Sequence, residues 1–342
     1  MKRIYLFFIL SAVLCACEHD IATTADFNVL LDKSNVYKVG EPIRFNFNGD
    51  VDNILFYSGE QGSDYEYRDR YSVPMEDVRS VSLNLDMIAS YGSPDAMEIY
   101  ISNKFNGLKG DDAKADRDTL TKMYKNGMYG WTRLEYDEGA STILTKHVYD
   151  TLLAYKENFS LAFHWCPKSW SEKKDIKDQL NKTDTLKYLT QRTYWVSGTL
   201  NLDIKDVVNT SMDISELEFT TVMINKEIED AYHKNDGNGS IITNKPESAT
   251  LIFQGVGAAD SLKYALDGWA ISTPKPLNLV SNDKGIVIKN QQNYIHSYSY
   301  TWNEPGTYKV VFVGSNVNYS SESTMIKELT VTILEDIDNV KE

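Results

Sequence analysis

Three stretches of the chain gather side chains able to do chemistry. HWCPKSW (164–170) sets Trp165 and Trp170 on either side of a proline, and YKNGMYGW (124–131) sets Tyr124, Tyr129 and Trp131 among two glycines, an asparagine and a lysine. FYSGEQGSDYEYRDR (56–70) follows a short apolar run and crowds Tyr65, Tyr67 and Arg68 against acids and a second arginine. Aromatic planes stack on the apolar faces of pyranose rings while amides, carboxylates and guanidinium groups satisfy the hydroxyls. Carbohydrate recognition is therefore the first chemistry to weigh, with Trp170, Trp165, Trp131, Tyr124, Tyr129, Tyr65, Tyr67 and Arg68 as the candidate contacts. Each has a plainer alternative. Trp165 shares an alternating face with Phe159 and Phe163 and reads as core in preference to a ligand contact, and Trp131 can open a strand with Leu134 and Tyr136. Trp170 has no evident core role, and an exposed tryptophan needs a reason.

Catalysis finds less support. A glycosidase needs two carboxylates set across the scissile bond, and Glu60 and Glu66 are the obvious pair. Arg68 and Arg70 stand beside them, so ion pairing is the expected role. No G-x-S-x-G elbow, H-E-x-x-H run or glycine-rich phosphate loop occurs, and His19, His147, His164, His233 and His296 are scattered singly. The expectation is a non-catalytic protein that needs no cofactor. Calcium, which takes six to eight oxygen ligands, has two possible seats. One is the run Asp111, Asp112, Asp116 and Asp118, and the other is Asn235, Asp236 and Asn238. Neither has EF-hand spacing, and Lys109, Lys114 and Arg117 interleave the first, so a solvated acidic loop is the simpler reading.

Charge narrows the partners. The formal net charge is −14 with no basic run, which repels a nucleic-acid backbone. A neutral ligand fits better. Tyrosine is abundant, at 22 residues beside 12 Phe and 6 Trp, and aromatics of this kind favour strands.

The amino terminus reads as an export signal. Lys2 and Arg3 precede an apolar core from Ile4 to Leu14, too short to span a membrane as a stable helix. Leu14-Cys15-Ala16-Cys17 looks like a bacterial lipobox, which makes Cys17 the expected lipidation site and residues 1–17 the signal peptide. The anchor would be lipid, because no later stretch approaches eighteen apolar residues. Cys166 is then the only other cysteine of the mature chain, so no disulfide framework is available.

The elements that must position these groups are strands. EPIRFNFNG alternates Ile43, Phe45 and Phe47 with polar residues, NILFY follows, and further strands are expected at 81–85, 97–101, in FSLAFHWC, TYWVSGTLNLDI, ATLIFQG and DGWAIS, and in IKELTVTIL. YSYTWNEPGTYKVVFVGSN predicts a hairpin about Glu304-Pro305-Gly306. The stripe Tyr294, His296, Tyr298, Tyr300, Trp302 predicts an inward-packed face. Residues 104–128 predict a long loop or short helix, and 171–183 a surface helix. Trp195, Trp269 and Trp302 read as core anchors. Many short strands between frequent turns indicate an all-β protein built from sandwiches.

VGEPIRFNFNGDVDNILFYSGEQGSDYEYRDR, DGWAIS and SYSYTWNEPGTYKVVFVGSN together resemble an uncharacterised family of Bacteroidota surface lipoproteins. These accompany starch-utilisation-type glycan uptake systems of the outer membrane. Glu18-His19-Asp20 after the lipobox is similar to the surface-export signal of such lipoproteins. The resemblance implies a tether at 18–25, an N-terminal immunoglobulin/PKD-like sandwich at 26–80 and a central galactose-binding-like jelly roll at 81–275. An insertion near 166–190 would interrupt the jelly roll, and a C-terminal PKD-like sandwich at 276–335 would precede a tail at 336–342. It implies capture of a glycan for an outer-membrane transporter and its companion lipoproteins. It carries no defined ligand motif. A structural or adhesive lipoprotein without a sugar site is the alternative, and a glycan-processing enzyme a further one.

Overall fold

The computed structural model describes residues 21–32, 35–167, 190–207, 210–225, 242–256 and 266–336. Cys17 and its lipobox, Trp170, the 171–183 segment and the loop bearing Asn235, Asp236 and Asn238 lie outside them. The fold is all-β, a set of sheets antiparallel except where Val36–Lys38 joins Glu322–Leu334, in two compact units, Met1–Tyr71 with Ser281–Glu342 and Ser72–Val280. Among the described residues no helix is long and apolar enough to cross a membrane.

The first unit interleaves the two ends of the chain. Strands β1 (Asp26–Leu31), β2 (Val36–Lys38), β3 (Pro42–Asp50) and β4 (Asn53–Tyr57) come from the amino-terminal part. β16 (Ile286–Lys289), β17 (Ser297–Thr301), β18 (Gly306–Val317) and β19 (Glu322–Leu334) come from the carboxy-terminal part. One sheet runs β1-β3-β17 and the other β16-β4-β18-β19-β2. Separate PKD-like domains at 26–80 and 276–335 are therefore replaced by a single sandwich to which both segments contribute strands of each sheet. A piece of that size alone buries too small a share of its surface to be stable with ease. The predicted hairpin about Pro305 is likewise replaced. β17 pairs with β3 (Tyr298 opposite Phe45) while β18 pairs with β4 and β19, so the turn carries the chain from one sheet to the other.

Phe45 meets Phe312 across this core with ring centroids 5.0 Å apart, and Phe56 meets Phe312 at 5.1 Å. Trp302 is fully buried beside them, and Tyr298 and Tyr300 pack half-buried at its margin, whereas Tyr294 stands in solvent.

The stretch 56–70 is a corner of this sandwich. Gly59 turns at φ +76°, where a Cβ would meet the Lys309 carbonyl at 2.7 Å. Asp64 caps a single 3-10 turn, Tyr65–Tyr67, by accepting from the Glu66 amide at 2.9 Å. Glu60 and Glu66 do not pair with Arg68 and Arg70. Glu60 accepts from the Tyr300 hydroxyl at 2.5 Å and Glu66 from Lys309 at 3.2 Å. Arg68 lies over the Tyr65 ring and contacts Asp69, and Arg70 lies over Tyr67 and reaches the buried Asp283 at 3.3 Å. Chain folding thus brings partners from beyond residue 280, which no local reading supplies.

The second unit is a two-sheet sandwich. Its strands are β5 (Val78–Ala89), β6 (Met97–Ser102), β7 (Trp131–Leu134), β8 (Leu144–Tyr149), β9 (Ser160–Trp165), β10 (Tyr194–Ile204), β11 (Ser211–Asp213), β12 (Phe219–Met223), β13 (Ile242–Lys245), β14 (Thr250–Phe253) and β15 (Gly268–Ser272). One sheet runs β13-β14-β10-β5-β8 with β11 beside β10, and the other β12-β15-β9-β6-β7. Leu83, Leu85, Ile99, Phe163, Tyr194 and Phe253 are among the residues that fill the space between them. Trp165 is fully buried there and stands 6.4 Å from Phe253, so it is core and offers no surface to a ligand. Trp195, expected as a core anchor, is 36% exposed on β10, because its neighbours Tyr194 and Val196 take the inward positions.

The one long helix among the described residues, α1 (Ala113–Lys125), closes the outer face of the five-stranded sheet. Leu120 packs there on Tyr100, Ala162, Trp269 and Ile271. With helix on one side and the second sheet on the other, β9 and β15 are buried at every position.

Candidate functional site

The segment from β6 through α1 to β7 builds two cavities on the outer side of the five-stranded sheet. Asp112 caps α1 by accepting from the Ala115 amide at 3.0 Å. Buried Asp116 accepts from the Lys109 and Gly110 amides at 2.8 and 2.9 Å, which ties the preceding loop to the first helical turn. Two of the acids considered for calcium are therefore engaged by backbone amides, and a metal-ligand grouping among the described residues forms elsewhere.

The helix ends in an unusual turn. Gly127, Met128 and Gly130 have φ of +70°, +55° and +84°, a left-handed path that costs a non-glycine residue such as Met128 about 1–2 kcal/mol. Met128 is buried and anchors the turn, and the next residue, Tyr129, is 87% exposed. The Ser102 hydroxyl donates to the Gly130 carbonyl at 2.7 Å, and the chain then enters β7 at Trp131, opposite Ser102.

Tyr129 and Trp131 border a cavity of about 480 Å³ with Lys104, Phe105, Met123 and Asn126. Trp131 is half-buried, its indole N–H directed at the Met123 sulfur at 3.1 Å and its ring 5.1 Å from Phe105. One aromatic is thus fixed in the wall while the other projects over the opening, and the Lys104 ammonium stands 5.9 Å from the Tyr129 ring. Asn106, Thr119 and Lys122 also line this space. Planar apolar surfaces with amides and an ammonium at their edges are the groups that stack on a sugar and bond its hydroxyls.

Tyr124 is separated from its sequence neighbours. It projects from the other side of α1, with its ring 4.5 Å from His164 and 5.9 Å from Trp269, and borders a second cavity of about 550 Å³ lined by Glu98, Arg133, Glu138, Cys166 and Arg192 among others. Burial pushes its phenol up to about 12, assisted by the charge of Glu98.

This second cavity is acidic and internally bonded. Glu138 accepts from the Tyr194 hydroxyl at 2.5 Å, the Tyr136 hydroxyl at 3.3 Å and the Asp95 amide at 2.8 Å, and pairs with the buried Arg192. Glu98 accepts from His164 Nδ1 at 3.1 Å and the Tyr100 hydroxyl at 3.0 Å and pairs with Arg133 at 3.2 Å. The His164 hydrogen bond, working against burial and helped by Tyr100, holds the Glu98 carboxyl down at about 2. An acid so readily ionised suits cation binding, the reverse of what a general acid requires. Burial opposes charge on His164, yet its bonds to Asp267, Cys166 and Glu98 outweigh this and lift it to about 10.

Sequence reasoning missed this cluster. His164 on β9 and Cys166, one residue past its end, are spaced by two, a local signal. Glu98 stands opposite His164 on β6, and Asp267 immediately precedes β15, so their presence depends on strand register. Of the sequence candidates, the structure brings together Tyr129 and Trp131. Tyr65, Tyr67 and Arg68 belong to the corner of the first unit.

None of the curated proteins matches the chain. Residues 16–122, a stretch that includes β1 to β6 and most of α1, match the model of a family described as Domain of unknown function (DUF5017).

Proposed function

We propose that the protein is a non-catalytic glycan-binding lipoprotein of the cell surface, which captures polysaccharide or oligosaccharide for an outer-membrane uptake system. The observation that carries the reading is Tyr129, an aromatic ring held in solvent by a strained left-handed turn beside Trp131. Backbone strain persists where surrounding structure over-determines it, and such positions gather at ligand sites. The carboxy-terminal end of α1, with Asn126, and the start of β7 form the floor, and Lys104 and Asn106 supply hydroxyl partners. Display at the surface rests on the lipobox ending in Cys17 and on the resemblance of several blocks to Bacteroidota glycan-utilisation lipoproteins. The same resemblance supplies the transporter and its companion lipoproteins as partners.

Affinity electrophoresis of the full chain through gels containing different neutral polysaccharides tests the reading. Retardation by at least one of them, lost in Tyr129→Ala, supports it. Unimpeded migration through the whole panel would favour a structural or adhesive lipoprotein, and release of reducing sugar would make it an enzyme.

A further inference from the structure

We infer that His164, Cys166 and Asp267 form a binding site for a zinc-class divalent transition-metal ion. One ligand atom of each lies within 4.8 Å of the other two. Tetrahedral zinc with bonds of 2.0–2.3 Å holds neighbouring ligand atoms about 3.3–3.8 Å apart, so small side-chain rotations close the set around an ion. His164 Nε2 and Asp267 Oδ1, now 2.9 Å apart, would open slightly as the ion takes the place of the Nε2 proton, which is released to solvent.

The sheet prepares this arrangement. His164 is buried at 1% exposure near the end of β9, and Cys166 follows just past that end. Trp269 pairs with His164 across β15 and β9, which places Asp267 beside the end of β9. Glu98, paired with His164 from β6, binds Nδ1 at 3.1 Å and leaves Nε2 directed at Asp267. A carboxylate on the far nitrogen of a ligating histidine fixes its tautomer and ring orientation. The Trp269 ring, stacked at 4.1 Å and 12° from parallel, holds the imidazole plane.

The donor set is one thiolate, one imidazole and one carboxylate. Such a mixture selects zinc-class ions over calcium or magnesium, which prefer oxygen alone. Three protein ligands leave a fourth position, and Cys166 with Glu98 and Tyr124 borders the acidic cavity through which water or a ligand would reach it. This site stands or falls independently of the glycan reading.

The test is titration of the metal-free full chain with Co²⁺, followed by competition with Zn²⁺. One equivalent should bind with the intense visible bands of tetrahedral cobalt and a thiolate-to-cobalt charge-transfer band, and Zn²⁺ should displace it. Cys166→Ser, an exposed position, should keep the metal-free melting temperature but lose the charge-transfer band and at least tenfold in affinity. Glu98→Gln should keep the band and weaken binding by about 10–100-fold. Absence of stoichiometric binding overturns the site. So does a charge-transfer band retained in Cys166→Ser, or a preference for Ca²⁺ over Zn²⁺.

Discussion

Trp269 lies almost flat on His164, the ring centroids 4.1 Å apart and the planes 12° from parallel. The pair sits between the five-stranded sheet and α1, so the indole supports both the helix and the imidazole. Removing it leaves a large void beneath Leu120 and Tyr100. Trp269→Ala should cost about 3–5 kcal/mol in urea unfolding. Trp195→Ala, on the outward side of β10, should cost about 1 kcal/mol or less. Equal losses would contradict the assignment of one tryptophan to the core and the other to the surface.

Glu138 and Arg192 form a buried pair tied into two phenols. Truncating one partner of such a pair leaves the other charge buried and uncompensated, at about 3–5 kcal/mol. Glu138→Ala should show that loss in chemical denaturation. Glu66→Ala, which breaks the exposed contact with Lys309, should leave the denaturation midpoint almost unmoved. A small effect at Glu138 would mean that water reaches the network.

Alkaline stability should track the same network. Burial, followed by the charge of Glu138, raises the Tyr136 and Tyr194 phenols above their ordinary value. Groups raised in the folded state contribute stability that is complete below the unfolded value of about 10 and is lost as pH climbs beyond it. Phenolate absorbance should therefore leave these two tyrosines neutral until the fold collapses, and Tyr194→Phe should flatten the decline above pH ~10. Reversible ionisation of both with the circular dichroism unchanged would contradict their buried placement.

The corner at 56–70 depends on backbone geometry at Gly59. Gly40 and Gly59 share left-handed φ values of +78° and +76°, but only Gly59 faces backbone at close range. Gly40→Ala should cost about 1–2 kcal/mol for conformation alone. Gly59→Ala should lose about 1–3 kcal/mol more through the clash with Lys309. Indistinguishable midpoints would show that the corner yields without resistance.

Much of the strand content is legible in the chain because period two is a local property. EPIRFNFNG and FSLAFHWC place Ile43, Phe45, Phe159, Leu161, Phe163 and Trp165 inward, as their alternation predicts. Pairing is a different matter. A Pro-Gly turn after Trp302 signals a reversal, yet nothing local says that β17 joins β3 while β18 joins β4. The candidate sites divide in the same way. Tyr129 and Trp131 are neighbours in sequence and share a cavity, whereas the His164 cluster draws Glu98 from 66 residues away and Asp267 from 103. Only strand register brings those groups together. Tyr124 shows the complementary error, since helix geometry turns it away from Tyr129 despite a separation of five.

In the proposed function, Tyr129 binds glycan because of where the fold holds it. Tyr129 and Tyr319 are equally exposed, each at 87%, and only Tyr129 borders the Trp131 cavity. The direct measurement is calorimetric affinity of the wild-type chain, Tyr129→Ala and Tyr319→Ala for a polysaccharide that retards the wild type. Tyr129→Ala should lose at least tenfold in affinity, about 1.4 kcal/mol, with Tyr319→Ala unchanged. Unchanged affinity in Tyr129→Ala, or the same loss in both variants, would contradict that role.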